Sequence, residues 1–301
     1  MRPFPERGWV TPTNLARVIR PHLERLANSA RAHLPHRLLP LVVALRFRLA
    51  WSKESVRADA RRQMAHLLAV ARPDADLEAA ARAYVRRMVW RGELRWHPEI
   101  ITDRPLEGIE HLQQAQAAGR GVMVVYTHHG NFDGAPGAIS RHGVKLWMTT
   151  FPTTVRDDAP GWLKQHVAVS CWNGSVAVST AIGTQGIVDL LQEGKVVTIA
   201  CDVAGRTPVH VLGRDLTGSF GAARVPFLAG SPVVLMTTEK DERGRELVRL
   251  HEPLEPQDFA SPQELLEVIL ARHEQVLLTW PELHDVPLSR WGERSADDDT
   301  A

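Results

Sequence analysis

Two histidines, an asparagine and an aspartate follow one another in His128-His129-Gly130-Asn131-Phe132-Asp133. An imidazole can take a proton from a hydroxyl with one ring nitrogen. A carboxylate bonded to its other nitrogen then fixes the tautomer and supports the imidazolium that forms. His128 and Asp133 fit these roles, His128 as general base and Asp133 as the group that orients it, with His129 and Asn131 as neighbours on the substrate site. Residues five apart on a continuous helix point in different directions. The pair can therefore meet only if His128 lies in a loop and Asp133 in a first helical turn. The competing reading is a set of polar loop residues capping a helix.

The flanking sequence supplies that turn. Gly121-Val122-Met123-Val124-Val125-Tyr126 is an unbroken apolar run, which is how a strand buried on both faces of a parallel sheet reads. A helix is expected to start near Asp133, since Asp favours a helix N-terminus and Pro136 fits its first turn. The polar string thus sits past the carboxyl end of a buried strand, where open α/β sheets bind ligands. A second buried run, Lys195–Cys201, ends at Asp202. Two strand ends of one sheet can converge on one cleft, so Asp202 is a further substrate-site candidate, its alternative role being a turn former or helix cap. Arg206, Arg214 and Arg224 cluster beyond it. An arginine there can hold a phosphate through two parallel hydrogen bonds or stabilise an oxyanion. Arg206 and Arg214 are kept as candidates against the alternative of solvated surface.

Strand and helix patterns alternate from residue 106 onward. Helices are expected near Glu110–Ala118, Thr184–Gln192 and Gln263–Leu278, with strands at Val144–Thr150, Pro232–Thr238 and Glu246–His251. This predicts an α/β fold with a mixed, mostly parallel sheet and helices on both faces. Short helices broken by proline precede it over 11–51. A helix over 54–72 follows, and another is capped by Asp76. The expected organisation is an N-terminal helical lid over 1–100, an α/β domain over 101–292 and a disordered acidic tail over 293–301. The segment 151–181, rich in Pro, Gly, Ser and Thr, shows no clear periodicity.

His128, four residues and Asp133, with Gly130-Asn131 and the aromatic Phe132 between, resembles the His-x4-Asp/Glu signature of the glycerolipid acyltransferase superfamily. The match is nearest to the branch of lipid A late acyltransferases and phosphatidylinositol mannoside acyltransferases, which carry His-x-Gly-Asn-Trp-Glu/Asp. Upstream, Glu107-Gly108-Ile109-Glu110-His111-Leu112 and Gly119-Arg120-Gly121-Val122 also resemble that branch, as do Trp280 and Arg290-Trp291. The likeness spans residues ~100–255 and is most specific over 107–133. Departures are Phe132 in place of Trp, Val211-Leu212 in place of an aromatic pair before Gly213, and the missing membrane-inserting N-terminal helix. The resemblance implies transfer of an acyl chain from a thioester, acyl-CoA or acyl carrier protein, to a hydroxyl of a lipid or glycolipid, with no other cofactor. Gly218-Ser219-Phe220-Gly221 lacks the Gly two residues before the Ser that a nucleophile elbow needs, and no cysteine adjoins His128. A direct attack without an acyl-enzyme is therefore expected. The departures keep two other readings open: a tailoring enzyme of a specialised pathway, using the His/Asp pair on a soluble small molecule, and a non-catalytic subunit that kept the fold.

Composition narrows the partners. Net charge over 301 residues is +1, and no nucleic-acid motif occurs. Residues 1–50 carry nine Arg against two Glu and no Lys or Asp, a local net of +7. Such an end can meet anionic lipid headgroups or an acidic carrier or partner protein. Two cysteines, Cys171 and Cys201, give no disulfide framework, and no metal-ligand spacing or phosphate-binding loop is present. The first twenty residues lack the apolar core of a signal peptide. The best apolar stretch, Leu38–Leu45, is interrupted by Pro40 and far short of the ~20 residues a span needs. A cytoplasmic protein, at most peripheral to a membrane, is expected.

Overall fold

The apolar run at 122–126 forms the central strand of a seven-stranded sheet, and every residue in it is buried. The computed structural model describes residues 26–293. The start of the Arg-rich segment and the acidic tail therefore lie outside the described residues. A helical run over 26–32 and a 3-10 turn at His36–Leu38 lead into α1 (Leu39–Trp51), α2 (Glu54–Leu68), α3 (Leu77–Leu94) and the short α4 (Pro98–Ile101). The chain continues through β1 (Leu106–Glu107), α5 (Ile109–Ala117), β2 (Val122–Tyr126), α6 (Ala135–Ser140), β3 (Leu146–Thr150), α7 (Gly161–Ser170) and β4 (Val176–Ser179). Then come α8 (Gly183–Gln192), β5 (Val196–Ala200), β6 (Thr207–Val211), β7 (Arg214–Gly218), α9 (Gly221–Ala229), β8 (Val233–Lys240), β9 (Glu246–Leu250), α10 (Pro262–Thr279) and β10 (Gly292–Glu293).

The main sheet runs β1-β9-β8-β2-β5-β3-β4, and every pairing in it is parallel except β8 with β9. The fold class is thus mixed α/β with a mostly parallel sheet, as the alternating patterns predict. Alternate side chains of β2 enter different cores. Met123 and Val125 pack with Val197, Leu235, Leu265 and Ile269, and with Phe47, Met64 and Tyr84 from the N-terminal helices. Val122, Val124 and Tyr126 pack on the other face with Leu112, Phe132 and Ile139. Burying each such large side chain contributes about 1.5–3 kcal/mol.

Two features depart from the sequence reading. The turn at Gly213-Arg214-Asp215 belongs to a hairpin, β6–β7, in a second sheet with β10. Its two loop residues, Leu212 and Gly213, have φ of 58° and 68°, the positive values a two-residue hairpin loop requires. The segment over 151–181 holds α7 and β4. Asp76 caps α3 as expected, accepting the Ala79 amide at 2.9 Å.

His129 and His273 lie in the interior. Burial pushes their pKa values down, to about 3 and about 4 respectively, with the charge of His284 adding to the effect at His129. Each is neutral in the fold, while the unfolded chain binds a proton at its ordinary pKa near 6.5. Stability is therefore full above pH ~6.5 and lost as pH falls toward the folded values, by about 2 kcal/mol per histidine at pH 5. Urea denaturation at pH 7 and pH 5 is expected to show this loss, and His273→Leu to remove about half of it. An unfolding free energy that stays flat over this interval would contradict the prediction.

Candidate active site

Pairing between β2 and β5 decides which carboxylate meets His128. The strands are parallel with Tyr126 opposite Ala200, and the Cys201 amide donates to the Tyr126 carbonyl at 2.9 Å. Two residues beyond each strand end, His128 and Asp202 stand side by side. One Asp202 oxygen lies 2.8 Å from His128 Nδ1; the other accepts the His128 backbone amide at 2.8 Å and faces His284 Nε2 at 2.9 Å. Asp202 and His284 are both fully buried. Burial alone would raise the Asp202 pKa. Electrostatic coupling to His128 and the hydrogen bonds from both imidazoles outweigh it and hold the carboxyl well below the usual carboxylate range. An ionised Asp202 accepts the proton on His128 Nδ1 and leaves Nε2 as the basic nitrogen. No hydrogen bond engages Nε2 among the described residues.

No hydrogen bond or ion pair joins Asp133 to His128 among the described residues. The Asp133 carboxylate turns toward the helices, with one oxygen 3.5 Å from Arg91 Nη2, 3.5 Å from His166 Nδ1 and 3.9 Å from Arg95 Nη2. Burial again pushes the pKa up, but Arg91, His166 and Arg95 hold it below the usual range. The cause of the difference is tertiary: α3 presents Arg91 to the loop, and Arg95, the residue that caps its end, follows one turn on. Helix α6 starts at Ala135, with Pro136 in its first turn, and has no side-chain cap.

The loop is fixed from its far side by the segment that follows α10. Gly130 donates to the Leu283 carbonyl at 2.8 Å, and Asp285 donates to the His128 carbonyl at 2.7 Å. Gly130 has φ of +61°, and a Cβ there would sit 2.2 Å from the Thr238 methyl, so this turn takes only glycine. The same segment delivers His284 to Asp202. His129 faces away from the site, with its Nε2 2.9 Å from the Trp280 carbonyl. Asn131 is buried and accepts Arg87 Nη2 at 2.7 Å. Both are supports of the loop rather than walls of the site.

A cavity of about 720 Å³ opens in front of His128. Met88, Phe132, Met148, Trp162, Leu163 and Ile199 give it apolar walls, while Arg91, Arg95, His166, Asp285 and Arg290 form a charged side. Phe132 meets the His128 ring edge-on at 4.8 Å and stacks under the Arg91 guanidinium at 4.4 Å. Arg91 bonds Asp285 at 2.7 Å, and Arg290 bonds the same carboxylate at 2.7 Å. Among the described residues Arg95 has Asp133 only at 3.9 Å and its Nε finds no partner, and it lies 5.5 Å from the Trp162 ring centre. Three guanidinium groups thus face two carboxylates on this wall, and Arg95 is the least compensated. Arg206 is exposed, and Arg214 donates to the His66 carbonyl at the end of α2. Neither lines the cavity; Arg214 lies on the hairpin and Arg206 just before it.

The residues that sequence reasoning missed are Arg91, Arg95, His166, His284 and Asp285. One signal for the arginines was available. Tyr84, Met88, Arg91 and Arg95 recur at helical spacing, which places two arginines on the inward face of α3.

No family model matches this chain, and no curated protein matches it. Among solved structures it is similar to the 1-acyl-sn-glycerophosphate acyltransferase PlsC from Thermotoga maritima. The match has 16% sequence identity, covers 63% of this chain and 81% of that one, and has a TM-score of 0.39. A likeness of that degree leaves the chemistry to be argued from the site itself.

Proposed function

We propose that the protein is an acyltransferase that moves an acyl group from a thioester donor, acyl-CoA or acyl carrier protein, to a hydroxyl of a lipid or glycolipid acceptor. The observation that carries this reading is the His128–Asp202 pair with Nε2 open to a largely apolar cavity. His128 Nε2 takes the acceptor's hydroxyl proton as the oxygen attacks the thioester carbonyl. The carbon–sulfur bond breaks, and the imidazolium returns the proton to the departing thiolate. The apolar walls suit the acyl chain. Transfer is direct, since among the described residues no serine or cysteine hydrogen-bonds to His128. Mass spectrometry of the protein incubated with acyl thioesters and hydroxyl acceptors tests the reading. Acylated acceptor and free thiol should appear with the wild type and not with His128→Ala. Equal turnover by the two proteins would overturn it, and product formed only with water-soluble acceptors would move the substrate class to soluble small molecules.

The partly unpaired Arg95 marks the end of the cavity suited to an anionic group of a substrate. Arg95→Ala is expected to raise the KM of the co-substrate carrying that group about 10–100-fold, with a smaller change in kcat. A KM within twofold of wild type for both co-substrates would exclude this role.

The N-terminal segment is the surface we assign to peripheral membrane contact. Among the described residues no helix is long and apolar enough to cross a membrane. Leu41, Leu45 and Leu49 form an outward stripe on α1, each 57–68% exposed, bordered by the exposed Arg37 and Arg48. Arg31 and Arg46 are instead held by the buried Glu93. Sedimentation with anionic vesicles at low salt is expected to pull the protein down. Binding should weaken as salt rises, because each basic residue near the surface contributes about 1 kcal/mol through a screened interaction. Leu41→Glu with Leu45→Glu should abolish it. A protein that stays in the supernatant at low salt favours a carrier or partner protein as the occupant of this face.

A further inference from the structure

His36, His97 and Glu99 meet away from the cavity, at the junction of α3 and α4. His36 opens the 3-10 turn before α1, and His97 and Glu99 bracket the first residue of α4. Their possible ligand atoms all lie within 4.8 Å of one another. His36 Nε2 is 2.7 Å and His97 Nδ1 is 3.7 Å from the same Glu99 oxygen. The two rings stand at 88° with centres 5.2 Å apart, so neither stacks over the other's nitrogens. His97 is buried, and its Nε2 has no hydrogen-bond partner among the described residues. No sequence motif could reveal this group, since its members come from segments some sixty residues apart.

We propose that His36, His97 and Glu99 form a binding site for a single zinc-class divalent cation. Two imidazole nitrogens and one carboxylate oxygen are the borderline donors that Zn²⁺ takes, and three protein ligands leave a fourth position for water. Donors about 2.0–2.2 Å from a tetrahedral ion stand about 3.3 Å apart. The observed separations of 2.7 and 3.7 Å bracket that distance, and His36 and Glu99 are free to adjust because both side chains are about half exposed. A set with one carboxylate and two imidazoles suits Mg²⁺ and Ca²⁺ poorly, since those ions take oxygen ligands. Bound Zn²⁺ would pin the turn before α1 to the elbow after α3, two residues from Arg95 on the cavity wall.

The test uses the full, untagged chain, freed of metal with a chelator and desalted. Dialysis against Zn²⁺ followed by elemental analysis should show one more equivalent retained by the wild type than by His36→Ala or Glu99→Gln, each with affinity at least tenfold weaker. Both substitutions fall on exposed side chains, so the fold is expected to survive. His210→Ala, at an exposed histidine elsewhere, should retain the same zinc as wild type. Zn²⁺ should raise the wild-type Tm by about 2–5 °C and leave the His36→Ala Tm unchanged. Mg²⁺ should do neither. Zinc retention equal in wild type, His36→Ala and Glu99→Gln would overturn the site, as would an equal effect of Mg²⁺.

Discussion

Replacing His128 with Ala is expected to lower turnover about 10²–10⁴-fold, some 3–5 kcal/mol of barrier, with the fold kept. Its side chain is partly exposed to the cavity and makes one side-chain hydrogen bond, to Asp202, so little of the core depends on it. Asp202→Asn should cost turnover by a comparable factor, because the amide can no longer both accept the Nδ1 proton and balance the imidazolium. It should also cost stability, since the Asp202 carboxylate accepts from the His128 amide and faces two imidazoles in a fully buried position. The decisive measurement is a double-mutant cycle on kcat. If Asp202 acts only through His128, then His128→Ala with Asp202→Asn is no slower than His128→Ala alone. Asp202→Asn with wild-type turnover, or a double variant slower by the product of the two single losses, would break the assignment.

That pairing was half visible in the sequence. β2 could be read because a strand covered on both faces has no polar alternation to obscure it, and all five of its residues are buried. β5 reads in the same way although its Ile199 is only half-buried, and two such runs leading to His128 and Asp202 already placed both groups at one end of a sheet. Which carboxylate His128 meets is a matter of register between β2 and β5, and register is set by the whole sheet. The short spacing from His128 to Asp133 therefore looked the more natural pairing. His284 and Asp285 arrive on a segment more than 150 residues downstream, held by backbone bonds to 128–130 that leave no mark on residue types. The β6–β7 hairpin was hidden for a local reason: Leu212 occupies a positive-φ position that sequence patterns reserve for Asn, Asp or Gly. Arg206 and Arg214 were misplaced with it.

Asp133→Asn or Asp133→Ala is expected to destabilise the fold by about 3–5 kcal/mol, a larger loss than His128→Ala causes. Asp133 is fully buried, and Arg91 is almost as deeply placed. Removing the carboxylate leaves Arg95 without its nearest counter-charge and Arg91 with Asp285 alone. A buried cation whose partner is lost bears its desolvation uncompensated, which is why breaking such a pair costs more than the pair contributes. Urea midpoints at pH 7 measure the loss, and a second cycle identifies its source. Adding Arg95→Gln to Asp133→Asn should cost less than the sum of the two single losses, because the second change removes the charge that Asp133→Asn leaves without a counter-charge. Asp133→Asn within 1 kcal/mol of wild type would show that Arg91 and Arg95 are solvated in solution. Turnover separates the two carboxylates. Measured well below the midpoint, so that the variant is folded, Asp133→Asn should retain more kcat than Asp202→Asn and lose it chiefly through KM, since Arg91 and Arg95 line the cavity. The reverse order would restore Asp133 as the residue that orients His128 during turnover.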